Sequence, residues 1–173
     1  MGSQPLEPAE IAPLLPATIA QLRVELTAVP ERVLVWHPAP GEWCVKDVLG
    51  HLIEADRRGF AGRIRIILGA DSPELESWEP AAVATARSDC AKPALGLLDE
   101  LAAMRAESAG LVSRLTATDL DRAGRHPTAG LLRVRDLLQE WVHHDRNHVR
   151  QILANVQGYV WPAMGNARKF SAP

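Results

Sequence analysis

Apolar side chains recur at intervals of three and four residues in four long stretches of this chain, residues 15–29, 44–69, 93–115 and 133–157. That interval is the period of a helix that buries one face. Segments rich in proline, glycine and polar residues separate the four stretches, and alternating β patterns are scarce. We expect residues 70–91 to form mainly a loop, with a short helix near the run AAVATAR. The pattern therefore predicts an all-α fold, a four-helix bundle.

The composition is that of a globular domain. The chain has 173 residues, of which 47% are hydrophobic, and we expect a single domain over residues 1–173 with its packed core at about 14–157 and an irregular C-terminal tail. The net charge of −2 argues against nucleic acid as a partner. No apolar run reaches the roughly 20 residues of a membrane span. The N-terminal sequence lacks the basic and then apolar pattern of a signal peptide, which predicts a cytoplasmic protein.

The two cysteines, Cys44 and Cys90, lie far apart in the sequence and form no CxxC pair. We expect free thiols in a reducing compartment rather than a disulfide framework. Cys44 takes the N-cap position of the second predicted helix, where serine or threonine would be the better residue. No histidine accompanies it in the local sequence, so we do not assign it as a nucleophile.

The fourth predicted helix contains three histidines within the run EWVHHDRNHVRQIL. On a helical wheel, His144 and His148 fall at the edge of the apolar face, whereas His143 points to the polar face and is expected to be solvated. Because His144 and His148 are four residues apart, their rings can converge on a metal ion at roughly 2.0–2.1 Å. The alternative is a pair of part-buried histidines that bond to backbone or carboxylate groups.

His51 lies at the edge of the apolar face of the second predicted helix. That face is formed by Val45, Val48, Leu49, Leu52, Ala55, Ile66 and Ile67. Burying an imidazole there is costly unless its polar atoms are satisfied. Together with His144 and His148, it would complete a three-histidine metal site with open positions for water or substrate. Such a donor set suits zinc, nickel, copper or iron(II). The alternative for His51 alone is a histidine on the helix surface.

Charged residues also occur within the predicted apolar faces. Asp56 and Arg63 fall on that of the second helix, and Asp145 on that of the fourth. We expect an internal Asp–Arg network that fixes how the two helices pair. Alternatively, Asp56 or Asp145 orients a ligating histidine. Glu54 follows His51 by three residues and is a weak candidate for a fourth ligand, because the wheel places it further from the core.

Two runs, PGEWCVKDVLGHLIEADRRGFAGRIRIIL and GRHPTAGLLRVRDLLQEWVHHDRNHVRQI, resemble the DinB/YfiT-like superfamily of metal-dependent proteins. The family pattern is W-[ST]-x-x-x-V-x-x-H-L at the start of helix two and H-x3-H-x-x-Q-I in the last bundle helix. The resemblance extends over about residues 14–157. It implies an up-down-down-up bundle, often dimeric, and a divalent metal, typically zinc or nickel, held by His51, His144 and His148. This chain departs from the pattern at Cys44, where serine or threonine usually caps helix two, and at Arg133, where a threonine often opens helix four.

Some relatives in this family use a low-molecular-weight thiol, which implies an S-transferase whose metal stabilises the thiolate. A metal-dependent hydrolase is a second candidate, since a divalent ion also lowers the pKa of water. A non-catalytic, stress-related metal-binding or sensing bundle is a third. A role in nucleic-acid repair, suggested only by the family name, conflicts with the acidic balance and the lack of a basic helix. We therefore expect a cytoplasmic homodimer that acts on a small molecule, with catalytic residues unassigned.

Overall fold

Four long helical segments form the bundle, as the sequence predicts. The structure is a computed structural model and describes residues 4–171. In chain order its helices are α1 (Pro8–Ile11), α2 (Leu14–Ala28), α3 (Glu31–Leu34), α4 (Val45–Glu54), α5 (Ala61–Gly69), α6 (Pro80–Arg87), α7 (Ala94–Val112), α8 (Ala117–Asp121) and α9 (Val134–Val160). A π-helical turn, Ala55–Gly59, joins α4 to α5, and 3₁₀ segments occupy Asp89–Ala91 and Trp161–Phe170. The strands are β1 (Ala123–His126) and β2 (Gly130–Arg133).

The interior of the bundle contains two apolar clusters with a polar layer between them. Both α2 and α4 pack against α7 and α9. Along α9, Trp141 belongs to one cluster and Val149 to the other, and the buried Asp145 falls between them. The buried polar residues at this level of the four helical segments are Thr18, His51, Asp56, Arg105, Ser108 and Asp145. The candidate chemistry of the protein therefore lies in the middle of the bundle, between two packed apolar regions.

The π-helical turn changes which residues of the second segment face inward. The Phe60 N–H donates to the Ala55 carbonyl at 2.8 Å, a bond that spans five residues. The extra residue in the turn rotates the following helix by about 100° relative to a continuous α-helix. Ile64 is consequently buried, whereas Ile66 is 47% exposed. The assignment of Ile66 to the apolar face was wrong for this reason.

The segment between α7 and α9 is more ordered than a turn-rich linker. It contains α8 and an antiparallel hairpin in which Ala123 pairs with Arg133 and His126 with Gly130. Strands of four residues are too short to show a convincing alternation in the sequence. The helix expected near AAVATAR is present as α6. Within residues 4–171, no helix combines the length and the apolar composition needed to cross a membrane.

The two helices that depart from the family's capping residues begin where the sequence predicts. The Asp47 carboxylate accepts a hydrogen bond from the Cys44 N–H at 3.2 Å, and the Asp136 carboxylate accepts one from the Arg133 N–H at 2.9 Å. In both cases an aspartate three residues into the helix satisfies the backbone of the N-cap residue. The absence of serine or threonine at the cap is thereby partly compensated.

Cys44 and Cys90 form a disulfide, which contradicts the expectation of free thiols. Cys44 is fully buried at the start of α4, and Cys90 lies in the 3₁₀ turn before α7. This turn packs closely on α4, because an ideal Cβ placed on Gly50 would lie only 1.7 Å from Asp89 Oδ2. The contact between the turn and the helix brings the two sulfurs together. The separation of the two cysteines along the sequence gives no indication of this contact.

Gly50→Ala is expected to destabilise the protein by about 1–3 kcal/mol, since the added methyl group would displace the buried Asp89 carboxylate from α4. Gly96→Ala, in α7, is the matched control. Its Cβ would meet nothing closer than Pro93 at 4.0 Å, so it should be neutral or stabilising by up to about 1 kcal/mol. Urea unfolding of both variants measures the difference. Equal midpoints for the two would show that the turn does not press on α4.

Candidate metal centre

His51 is positioned by the amphipathic helix α4. The helix buries its apolar residues against α7 and α9, and His51 lies among them with only 8% of its surface exposed. Two indole rings flank the imidazole, with the ring centroids of Trp43 at 4.9 Å and Trp78 at 5.7 Å. These contacts hold the ring so that it points towards α9.

The structure brings His51, His144 and His148 together. Nε2 of His51 lies 3.0 Å from Nε2 of His144. The ring centroid of His148 lies 4.5 Å from that of His51 and 4.4 Å from that of His144. One potential ligand nitrogen from each ring lies within 4.8 Å of the other two. Tetrahedral ligands at the usual zinc–nitrogen distance are about 3.3 Å apart, so small rotations of the rings would complete such a site.

All three imidazoles are held in the neutral form that a metal requires. Burial, together with the neighbouring His148, lowers the pKa of His51 to about 4. Burial and the surrounding histidines lower the pKa of His144 to about 3. Burial also lowers the pKa of His148, although its bond to Gln151 and the charge of Asp145 oppose the shift. At neutral pH the cluster therefore offers nitrogen lone pairs.

The hydrogen bonds around the imidazole rings leave ring nitrogens free to bind a cation. His148 Nδ1 bonds to Gln151 Oε1 at 2.8 Å, which leaves its Nε2 without a proton. Among residues 4–171, no partner contacts the buried Nδ1 atoms of His51 and His144. Two facing Nε2 atoms at 3.0 Å are satisfied either by one shared proton or by a common cation. Three nitrogen donors with no thiolate fit a late first-row divalent ion such as zinc or nickel.

A cavity of about 530 Å³ adjoins the cluster. His51 and His144 form part of its wall, and Phe60, Trp78 and Leu137 supply apolar surface. The cavity also meets the charged side chains Arg63, Asp136 and Glu140. A small molecule bound there would lie directly against two of the three histidines.

The sequence model of the DinB superfamily matches residues 14–152. The chain belongs to the DinB superfamily. None of the curated proteins compared with the chain matches it significantly. Among solved structures, the chain is similar to YfiT from Bacillus subtilis, described as a probable metal-dependent hydrolase with an unusual four-helix bundle topology. The two share 18% sequence identity over 91% of each chain, with a TM-score of 0.81, a likeness that shows a common fold.

This DinB-superfamily chain contains a buried ion-pair network behind the histidines, but its arginine is not the one we expected. Arg105 of α7 donates to both carboxylate oxygens of Asp145 at 2.8 Å. Its Nε lies 3.1 Å from Asp56 Oδ2, and Ser108 donates to Asp56 Oδ1 at 2.9 Å. The network thus joins three helical segments rather than two. Neither aspartate is hydrogen-bonded to His51, His144 or His148, so the alternative of direct histidine orientation is not supported.

Arg63, the expected partner of the aspartates, instead points towards the cavity. Its Nη2 donates to the Glu76 carbonyl at 3.0 Å and lies 2.9 Å from His126 Nε2. The assignment to the network was wrong because the π-helical turn rotates α5 away from Asp56. Burial lowers the pKa of Arg63 from its high ordinary value. Arginine is effectively always protonated in proteins, so the guanidinium is charged at neutral pH. It places a positive charge beside the cavity.

Glu54 is not available as a fourth ligand. Its side chain is only 3% exposed, although the helical wheel had placed it further from the core. Arg58 donates to one of its oxygens at 2.6 Å, and Arg87 donates to the other at 2.9 Å. Arg57 contacts the same carboxylate. Glu54 therefore holds the π-helical turn against α6. Its pairs with Arg57 and Arg58 lie at local spacings of three and four residues, whereas the pair with Arg87 depends on the fold. His143 is exposed on α9, as expected, with its Nδ1 near Asn147.

Proposed function

We propose that this protein is a divalent-metal-dependent hydrolase of a small molecule that has an apolar body and an anionic group. The observation that carries the proposal is the meeting of three neutral imidazoles at the wall of a cavity large enough for such a substrate. The description of the structurally similar YfiT as a probable metal-dependent hydrolase supports the same reaction class. When bound by the three histidines, a divalent ion supplies Lewis-acid polarisation and lowers the pKa of water.

The protein's own side chains divide the remaining tasks. Phe60 and Trp78 offer aromatic surface against which the apolar part of a substrate packs. Arg63 attracts an anionic group by charge, and its hydrogen bond to the Glu76 carbonyl holds the guanidinium in place. The cavity therefore orients a substrate with one end at Arg63 and its reactive group near the histidines.

Glu140 is the proposed general base. It lies on α9 one helical turn before His144, and its side chain lines the same cavity. A carboxylate at this position accepts a proton from water that enters the cavity, which contributes typically 100- to 10,000-fold to a reaction rate. Asp136, one turn further back, also reaches the cavity but is more distant along the helix from the ligating residues.

Glu140→Gln is expected to lower kcat/KM about 100-fold on a model ester such as 4-nitrophenyl acetate, assayed with the zinc-loaded protein. The amide keeps the shape of the side chain but cannot accept the proton. Bound zinc, measured by elemental analysis, should not change. Glu107→Gln, an exposed position on α7, is the matched control and should retain full activity.

A fall in zinc content together with activity would instead assign Glu140 to metal binding. Activity that survives Glu140→Gln, with zinc still required, would remove the general base from the proposal and leave the metal site intact. Absence of zinc-dependent turnover across esters, amides and phosphate esters would contradict the hydrolase.

A thiol-dependent S-transferase is the second candidate. The three-histidine set provides no protein thiolate, so a low-molecular-weight thiol has an open ligand position to fill, and the aromatic wall of the cavity suits an apolar electrophile. Conjugation of 1-chloro-2,4-dinitrobenzene to each of a panel of small thiols, with and without zinc, separates this activity from hydrolysis. Zinc binding without either activity would favour the sensing bundle.

A further inference from the structure

A second group of potential metal ligands lies at the N-terminal end of α4, outside the three-histidine centre. It consists of His37, Cys44, Asp47 and Cys90, and one ligand atom from each lies within 4.8 Å of the others. Asp47 Oδ2 is 3.3 Å from Cys90 Sγ, and His37 Nε2 is 3.6 Å from the same sulfur. The four residues come from three separate stretches of the chain that the fold holds together.

His37 is oriented in the way that ligating histidines usually are. Its Nδ1 lies 2.6 Å from the Glu42 carbonyl oxygen, an acceptor, so Nδ1 carries the proton and donates it. Nε2 is then the unprotonated nitrogen, and it faces the sulfur of Cys90. A backbone carbonyl that fixes the tautomer in this way is the common outer partner of a metal-bound imidazole.

We propose that reduction of the Cys44–Cys90 disulfide converts this cluster into a four-ligand zinc site formed by His37, Cys44, Asp47 and Cys90. A dithiol reductant supplies two electrons and two protons, and leaves as a cyclic disulfide while the protein gains two thiols. Binding of Zn²⁺ then releases the two thiol protons to solvent. Oxidation by a disulfide of the same class reverses both steps and expels the ion.

The geometry and charge of the cluster suit zinc. Thiolate, imidazole and carboxylate are all zinc ligands, and two thiolates, one imidazole and one carboxylate supply the four that a closed tetrahedral site needs. Zinc-bound thiolates lie about 3.8 Å apart, and the Cα atoms of the two cysteines are already separated by 6.9 Å. Three anionic ligands and a divalent ion leave a net charge of −1. The buried Lys46 Nζ, which is paired with Glu31, lies 3.4 Å from the Cys90 carbonyl oxygen and adds a positive charge near the cluster.

The cluster is accessible from solvent. In both redox states it links the turn that carries Cys90 to α4. It borders a groove of about 320 Å³, and the His37 side chain is 47% exposed, so a reductant and an ion have a route to it. Either the disulfide or a zinc ion would tie the 3₁₀ turn that carries Cys90 to the start of α4. The site is independent of the hydrolase proposal, because it shares no residue with the three-histidine centre.

Cobalt(II) titration tests the proposal, because a thiolate–cobalt bond gives a near-ultraviolet charge-transfer band that nitrogen ligands do not. The protein is stripped of metal with a chelator and divided into an untreated sample and one reduced with a tertiary phosphine, which is itself oxidised to the phosphine oxide with oxygen from water. Thiol titration verifies the reduction, and circular dichroism verifies the fold. We expect the band only in the reduced sample, and about one additional equivalent of zinc there.

Three variants make the result specific. His37→Ala keeps both cysteines and alters an exposed side chain, and it should weaken cobalt binding at the thiolate site at least about tenfold. His143→Ala, on the exposed face of α9, should bind as the unaltered protein does. His148→Ala removes a ligand from the three-histidine centre and should leave the charge-transfer band unchanged, which separates the two proposals. A reduced, folded protein without the band, or an equal band in the oxidised sample, would overturn the inference.

Discussion

Replacing His148 with alanine is expected to weaken zinc binding at the three-histidine centre by about 100- to 1,000-fold. Zinc held by a protein site contributes roughly 10–16 kcal/mol, so the loss of one of three ligands removes several kcal/mol. His148 is the ligand best suited to this test because it is only part-buried, and its nearest polar partner, Gln151, remains able to bond to water. Competition with a chromophoric zinc chelator, under non-reducing conditions that keep the disulfide closed, measures the affinity.

The effect should also appear in stability. Zinc at about 100 times its dissociation constant adds about 2.7 kcal/mol to the free energy of unfolding of a protein that binds it only when folded. The unaltered chain and the His143→Ala control should show this gain, since His143 lies on the same helix but outside the cluster. His148→Ala should show almost none at the same zinc concentration. Equal gains in all three proteins would mean that zinc binds elsewhere.

Arg105→Met is expected to lower the free energy of unfolding by about 3–5 kcal/mol at pH 7. Arg105 is fully buried and pairs with the buried carboxylates of Asp56 and Asp145. Methionine fills much of the same volume but leaves both carboxylates without a cation, and an unpaired buried charge is among the most costly changes in a protein. Urea unfolding provides the measurement. The exposed Arg114 is the control, and Arg114→Met should change stability by less than about 0.5 kcal/mol.

The loss should shrink as the pH falls. Burial already raises the pKa of Asp56 above its ordinary value, opposed by Arg105 and by the bond from Ser108. Without Arg105 the pKa of Asp56 rises further, so the folded variant binds a proton more readily than its unfolded chain. Protonation then stabilises the variant relative to the unaltered protein as the pH is lowered from 7 to about 5. If the loss of unfolding free energy in Arg105→Met is small at pH 7, or grows as the pH falls, the network does not carry buried charge.

The three-histidine cluster could be predicted because helical periodicity gives the face of the helix on which each histidine lies. Helical periodicity places His144 and His148 on one edge of α9 and excludes His143, and it places His51 on the edge of α4. The same periodicity predicts the four long segments of the bundle. These features depend on local spacing, which a sequence displays directly. Tertiary packing brings His51 of α4 to the same level of the bundle as His144 and His148 of α9, and the sequence does not display that packing.

The remaining features depended on contacts between distant segments. Arg105 lies at helical spacing from Leu101 and Ser108 on the buried face of α7, so the sequence pattern itself marks it as a buried charge. The disulfide arises because Gly50 lets the turn before α7 approach α4, and a sequence separation of 46 residues conceals that approach. The π-helical turn adds one residue and rotates α5. For this reason the predicted positions of Ile66 on the apolar face and of Arg63 beside the aspartates were wrong. The errors on the disulfide, on Ile66 and on Arg63 follow from packing or an irregular turn, whereas Arg105 stands within the amphipathic pattern.

The most direct test of the metal centre is X-ray absorption spectroscopy at the zinc edge on the oxidised protein loaded with one equivalent of zinc. With the disulfide closed, the account predicts imidazole nitrogens at about 2.0–2.1 Å, no sulfur neighbour, and a fit that requires three histidines, reduced to two in His148→Ala. Zinc that fails to bind, or whose ligands are unaffected by the loss of His148, would contradict a shared ion held by His51, His144 and His148.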